Sequence, residues 1–153
     1  MRADARRAAG AVLTGLALLL ATEAAGAQGT FRSGAHAGRA YHLYVPAALV
    51  AEPTDPPPLA VALHGCGQTP EDFAAGTRLN TVAERRRLLV LYPTQGMRSN
   101  PTRCWNWFEP ASRERGEVAE ILGLVQHVGG RHRFDRDRVV VVGFSAGGFM
   151  DPQ

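Results

Sequence analysis

The sequence contains no lysine; all 17 of its basic residues are arginine. Against 14 acidic residues this leaves a formal charge of +3. The excess is not gathered into a stripe. Arg2, Arg6 and Arg7 stand at the start, and beyond residue 27 the balance is 14 basic to 12 acidic. So weak a field gives no footprint for nucleic acid. Only two cysteines are present, Cys66 and Cys104, with no Cys-x-x-Cys and no Cys/His ligand spacing. That argues against structural zinc, and no metal or cofactor is expected. No internal repeat is found, and Pro53–Pro58 is the one biased tract. Charged residues are 20% and apolar residues 45%, which excludes wholesale disorder, collagen and a coiled coil. The longest uncharged apolar run, Ala8 to Ala21, is short for a bilayer span.

What is present begins with that run. Basic Met1–Arg7 precedes it, and Ala25-Gly26-Ala27 follows with the small-x-small pattern of signal cleavage. Residues 1–27 are therefore expected to be an export signal and 28–153 the folded domain. An uncleaved anchor is the alternative, disfavoured by the short core. Arg6-Arg7 lacks the flanks of a twin-arginine signal. After cleavage no stable membrane insertion is expected, and the destination is secreted or periplasmic. An oxidising compartment and an even count favour a Cys66–Cys104 disulfide over two buried thiols.

The small, polar stretch from Gln28 to Gly38 is expected to be a loose entry. From Arg39 to Val45, Tyr41, Leu43 and Val45 alternate with Ala40, His42 and Tyr44, a period-two strand. The proline tract is a surface connector. Strands near 59–63, 88–92 and 139–142 read as continuous apolar runs, the pattern of burial on both faces. Thr69-Pro70-Glu71-Asp72 starts a helix: Thr can cap, Pro suits the first turn, and the acids suit the dipole. That helix continues to Arg87, with a break expected near Gly76. A second helix covers 117–128, with Val118, Ile121, Leu122 and Val125 on one face. Alternating strands and helices predict an α/β fold, mostly parallel, with helices on both faces of the sheet.

Gly143-Phe144-Ser145-Ala146-Gly147 fits G-x-S-x-G directly after a four-valine strand, the context of a nucleophile elbow. The tight turn tolerates only small neighbours and lifts the Ser145 hydroxyl into the open. A glycine-rich phosphate-binding turn is the competing reading. An earlier strand ends in His64-Gly65-Cys66-Gly67-Gln68, where such hydrolases place a second oxyanion donor. The expected donors are the backbone N–H groups of Cys66 and Ala146. His64 is expected to brace its loop by hydrogen bonding rather than act as base.

Together, Leu63-His64-Gly65-Cys66-Gly67-Gln68, Cys104-Trp105-Asn106-Trp107-Phe108 and Gly143–Gly148 resemble the secreted poly(3-hydroxybutyrate) depolymerase-type esterases. That family lies in the α/β-hydrolase superfamily, beside feruloyl and acetyl-xylan esterases. The resemblance runs from about Tyr41 to Gly148. It implies a secreted carboxylic-ester hydrolase acting on an ester or polyester. It also implies Ser145 as nucleophile and Trp105 and Trp107 near the mouth of the site. Ordinary packing is the alternative for both tryptophans.

In such hydrolases the triad acid and histidine follow the serine. Here Gln153 comes eight residues after Ser145, and His36, His42, His64, His127 and His132 all precede it. His127, His132, Asp135 and Asp137 lead into the wrong end of the last strand, and the two Asp are expected to cap or pair with Arg136 and Arg138. The chain is accordingly expected to be the N-terminal half of an α/β-hydrolase fold, with Val139–Val142 at an open sheet edge. Three functions stay open: the front part of a serine esterase, a truncated noncatalytic protein that at most binds esters, and, more weakly, a serine peptidase on this fold. For the esterase a polyhydroxyalkanoate is the expected substrate, with a feruloyl or acetyl-xylan ester as the weaker alternative.

Overall fold

The computed structural model describes residues 29–51, 55–110 and 114–150. The expected export signal lies outside them. Among the described residues five strands form one sheet: β1 (Thr30–His36), β2 (Arg39–Val45), β3 (Leu59–Leu63), β4 (Leu89–Pro93) and β5 (Val139–Gly143). Their spatial order is β1-β2-β4-β3-β5. β4, β3 and β5 run parallel, while β2 is antiparallel to both β1 and β4. The sheet is thus mixed, with a parallel half and an antiparallel half.

β1 corrects the expectation of a loose entry. Its residues carry no alternation, but they pair along the whole of β2, from Thr30↔Val45 to His36↔Arg39. The connection is Ala37-Gly38, with φ of 48° and 83°. Two positive φ values match the twist of a two-residue hairpin. Pairing with a strongly patterned neighbour, not intrinsic pattern, makes this strand.

Four helices follow: α1 (Ala47–Ala51), α2 (Pro70–Thr77), α3 (Leu79–Arg86) and α4 (Gly116–Gly129). The Thr69 cap is present. Its hydroxyl accepts from the Asp72 N–H at 3.2 Å, and the Asp72 carboxylate accepts from the Thr69 N–H at 2.9 Å. The helix breaks at Arg78, in the left-handed region at φ 53°, two residues beyond the expected Gly76. Because strand side chains alternate between faces, the core divides in two. Leu59, Val61, Leu63 and Leu91 pack with Leu124 and Val128 of α4. Ala60, Ala62, Val90 and Tyr92 pack with Phe73 of α2 and Ala83 of α3. Helices therefore cover both faces, as expected.

β3 and β4 are buried along their whole length. β5 is not: Val140, Val141 and Val142 are 54%, 48% and 37% exposed. Its valines read as a strand buried on both faces, but only one edge of β5 is paired, with β3. The open edge expected from the strand count is what the described residues show.

Candidate active site

The parallel trio ends on one side of the sheet, and three loops meet there: 64–68 after β3, Thr94-Gln95 after β4, and the Ser145 turn after β5. This is where ligands bind in open α/β sheets. Ser145 opens a 3-10 turn, Ser145–Phe149, with φ 52°. A left-handed non-glycine residue costs about 1–2 kcal/mol, so it persists only where its surroundings over-determine it. Those surroundings are two glycines. A Cβ on Gly143 would lie 2.3 Å from the Gly147 carbonyl oxygen, and one on Gly147 would lie 2.3 Å from that of Leu63. The turn is thereby pressed onto its own strand and onto the end of β3. The Phe144 N–H donates to the Leu63 carbonyl at 3.1 Å, and the Gly147 N–H to that of Phe144 at 3.0 Å. Ser145 is exposed and Ala146 buried.

The 64–68 loop lies beside this turn. The Gly65 N–H donates to Gln68 Oε1 at 2.8 Å, and the Gly67 N–H to the Thr102 carbonyl at 2.9 Å. Cys66 is exposed and joined to Cys104 by a disulfide. The bond ties the aromatic loop, Cys104–Phe108, to the 64–68 loop. Among the described residues, the N–H groups of Cys66 and Ala146 donate to no carbonyl outside their own element.

His64 is fully buried with both ring nitrogens engaged. Nδ1–H donates to the Gly65 carbonyl at 2.8 Å, and Nε2 accepts from the Gln95 N–H at 3.1 Å. Burial holds its pKa below the ordinary value, against the opposing pull of the Gly65 carbonyl. It braces the loop as a neutral ring. The other histidines sit elsewhere. His36 lies on β1, four strand spacings or about 19 Å across the sheet from β5, stacked on His127. His42 on β2 pairs with Glu71 at 3.0 Å. His132 lies beyond α4, toward the start of β5. Asp135 pairs with Arg138 at 2.5 Å, as expected of a surface contact. Among the described residues, none of these groups hydrogen-bonds Ser145.

The two tryptophans part company. Trp105 is fully buried, and its indole N–H donates to the His64 carbonyl at 3.0 Å. As a substrate contact it is corrected: it is a core residue that props the 64–68 loop from below. Trp107 is 51% exposed and meets Phe149 at 5.1 Å between ring centroids.

Three residues that periodicity did not single out complete the site's support. Gln95, Arg39 and Glu117 are buried together. Arg39 donates to Gln95 Oε1 at 2.7 Å and also bonds Glu120. Gln95 Nε2 donates to the Cys104 carbonyl at 2.9 Å and to Glu117. Glu117 accepts from the Asn106 N–H at 2.8 Å. In the sequence Arg39 is a strand end, Gln95 a loop residue and Glu117 a first-turn acid, all ordinarily solvated, so no signal marked them. A cavity of about 310 Å³ opens alongside, lined by His42, Gln68, Thr94, Met97 and Arg103 among others.

Residues 39–151 match the family described as "Esterase PHB depolymerase". The chain belongs to that family. Over 95 residues it is 40% identical to poly(3-hydroxyalkanoate) depolymerase C of Paucimonas lemoignei, covering 61% of this chain and 23% of the relative. Over 112 residues it is 37% identical to feruloyl esterase B of Neurospora crassa, covering 71% of this chain and 36% of the relative. The solved acetyl xylan esterase from Aspergillus awamori superposes with a TM-score of 0.67 at 22% identity, over 80% of this chain and 45% of that one. The fold is thus shared with α/β-hydrolase esterases, and the chain spans less than half the length of each of these three proteins. Among the described residues no helix is long and apolar enough to cross a membrane.

Proposed function

We propose that this chain carries the nucleophile side of a secreted carboxylic-ester hydrolase of the polyhydroxyalkanoate depolymerase type. The observation that carries the reading is Ser145: exposed, at positive φ, one residue past β5, in a turn that Gly143 and Gly147 let press onto its own strand and the end of β3. In this reading Ser145 Oγ attacks the ester carbonyl. The Cys66 and Ala146 N–H groups stabilise the oxyanion, the alcohol departs, and water releases the acyl group. Among the described residues neither N–H group has an acceptor outside its own element, which suits that role. No histidine among the described residues serves Ser145, so the base comes from outside them. The isolated chain is then expected to be nearly inactive. Residues 1–27 would direct export.

The family and the relative named for poly(3-hydroxyalkanoate) favour a hydroxyalkanoate ester over the feruloyl and acetyl-xylan alternatives. A noncatalytic, ester-binding role is the second reading, favoured by the exposed Trp107 and Phe149. A fluorophosphonate probe separates the two. The test protein is this chain extended with the C-terminal segment of the Paucimonas lemoignei relative. The hydrolase reading predicts probe mass on the peptide holding Ser145, and the binding reading predicts none.

A further inference from the structure

We propose that Gln95 is the positioning residue for the loop that presents the Cys66 N–H, an inference that rests on the reading of Cys66 as an oxyanion donor. Gln95 is fully buried just past β4 and bonds both His64 of the loop and Cys104, the disulfide partner of Cys66. Its main-chain N–H donates to His64 Nε2 at 3.1 Å. That makes Nε2 an acceptor and puts the ring proton on Nδ1, which donates to the Gly65 carbonyl at 2.8 Å. Its side-chain N–H groups hold the Cys104 carbonyl and the Glu117 carboxylate, and its Oε1 accepts from Arg39. Cys104 is bonded to Cys66, and Trp105, the next residue, donates to the His64 carbonyl. One residue thus grips the loop twice, through its main-chain N–H at His64 and through its side-chain amide at Cys104.

The chemistry favours glutamine here. A primary amide offers two donors and one acceptor in a plane, and all three are used between a carbonyl, a carboxylate and a guanidinium. Leucine at the same volume would leave the Cys104 carbonyl short of a donor and the Arg39 and Glu117 charges poorly matched. Buried groups stranded in this way are costly, and the strain falls on the most exposed member of the network, the 64–68 loop.

The test reads the loop directly and needs no turnover. In the 153-residue chain the Gly67 amide, bonded to the Thr102 carbonyl, reports loop order by hydrogen exchange. With Gln95→Leu, Gly67 exchange is expected to rise about tenfold relative to the Tyr44 amide on β2. A parallel rise at both amides would mean general destabilisation and would overturn the proposal, as would no change at Gly67. If that variant does not fold, nitrogen NMR of the unaltered protein decides. His64 is expected as the Nδ1–H tautomer with Nε2 bare, and an Nε2–H tautomer would overturn the proposal. A loosened loop in a protein whose Ser145 proves unreactive would leave the positioning role intact and remove the hydrolase reading alone.

Discussion

β3 and β5 lie side by side in register, Leu59↔Val139 to Leu63↔Gly143, and their sequences differ little in apolar character. Yet β3 is buried throughout, and three valines of β5 are more than a third exposed. The difference is in neighbours. β3 has a strand on each side and packing on both faces, while β5 has β3 alone among the described residues. A run of valines specifies a strand, but how much of it is buried is decided by what else is present. Of the two, it is the less buried strand that delivers Ser145.

Substitutions across this pair should have unequal effects. The largest is expected at their junction. Gly147→Ala puts a methyl into the Leu63 carbonyl, a backbone atom that cannot rotate away. Its cost should exceed the roughly 1–3 kcal/mol of ordinary overpacking, read as a fall in the denaturant midpoint. In β3, Leu63→Ala should cost about 2–5 kcal/mol by the same measurement. Replacing both Cys66 and Cys104 by Ser should cost about 2–4 kcal/mol, by releasing a loop of separation 38 in the unfolded chain. On β5, Val141→Ala should stay within about 0.5 kcal/mol, as for other exposed sites. A large loss at Val141 would show that the edge is covered, and the comparison would fail.

The sheet's other edge sharpens the contrast, because side chains tie it down. Glu84 of α3 accepts from the Gly29 N–H at 2.6 Å, the Tyr44 hydroxyl at 2.6 Å and the Ala47 N–H at 3.1 Å. Burial pushes the Glu84 carboxyl up, but these bonds outweigh it and hold the pKa below the ordinary 4.5; the Tyr44 hydroxyl is pushed up to about 12, by burial first and then by Glu84. A depressed carboxylate stabilises the fold above its unfolded pKa, and that contribution is lost as pH falls through the lower folded value. Glu84→Gln should therefore flatten the acid side of a Tm-versus-pH curve below about pH 4.5. An unchanged slope would place the acid sensitivity elsewhere.

Much of this was legible in the sequence because it is local. The Thr69 cap, the apolar runs of β3 and β4, and the small residues around Ser145 each carry their own physical reason within a few positions. β1 was not legible, since its residues become a strand only by pairing with β2. The exposure of β5 needed a count of neighbours rather than a pattern. The family resemblance put Trp105 near the mouth of the site, but its indole N–H finds a buried carbonyl 41 residues away. The Arg39–Gln95–Glu117 cluster was hidden for the same reason: each member reads as a solvated residue until β2, β4 and α4 bring them together.

The proposal that Ser145 is the nucleophile is decided by p-nitrophenyl butyrate hydrolysis. Four proteins suffice: the 153-residue chain, the chain extended with the relative's C-terminal segment, and Ser145→Ala in each. Loss of the triad histidine costs on the order of 10⁶ in rate in subtilisin. Negligible turnover is expected of the short chain, clear turnover of the extended chain, and its loss with Ser145→Ala. Robust turnover by the short chain that disappears with Ser145→Ala would contradict this expectation, because one of the five histidines would then have to serve as base. Turnover by the extended chain that survives Ser145→Ala would remove Ser145 from the chemistry altogether.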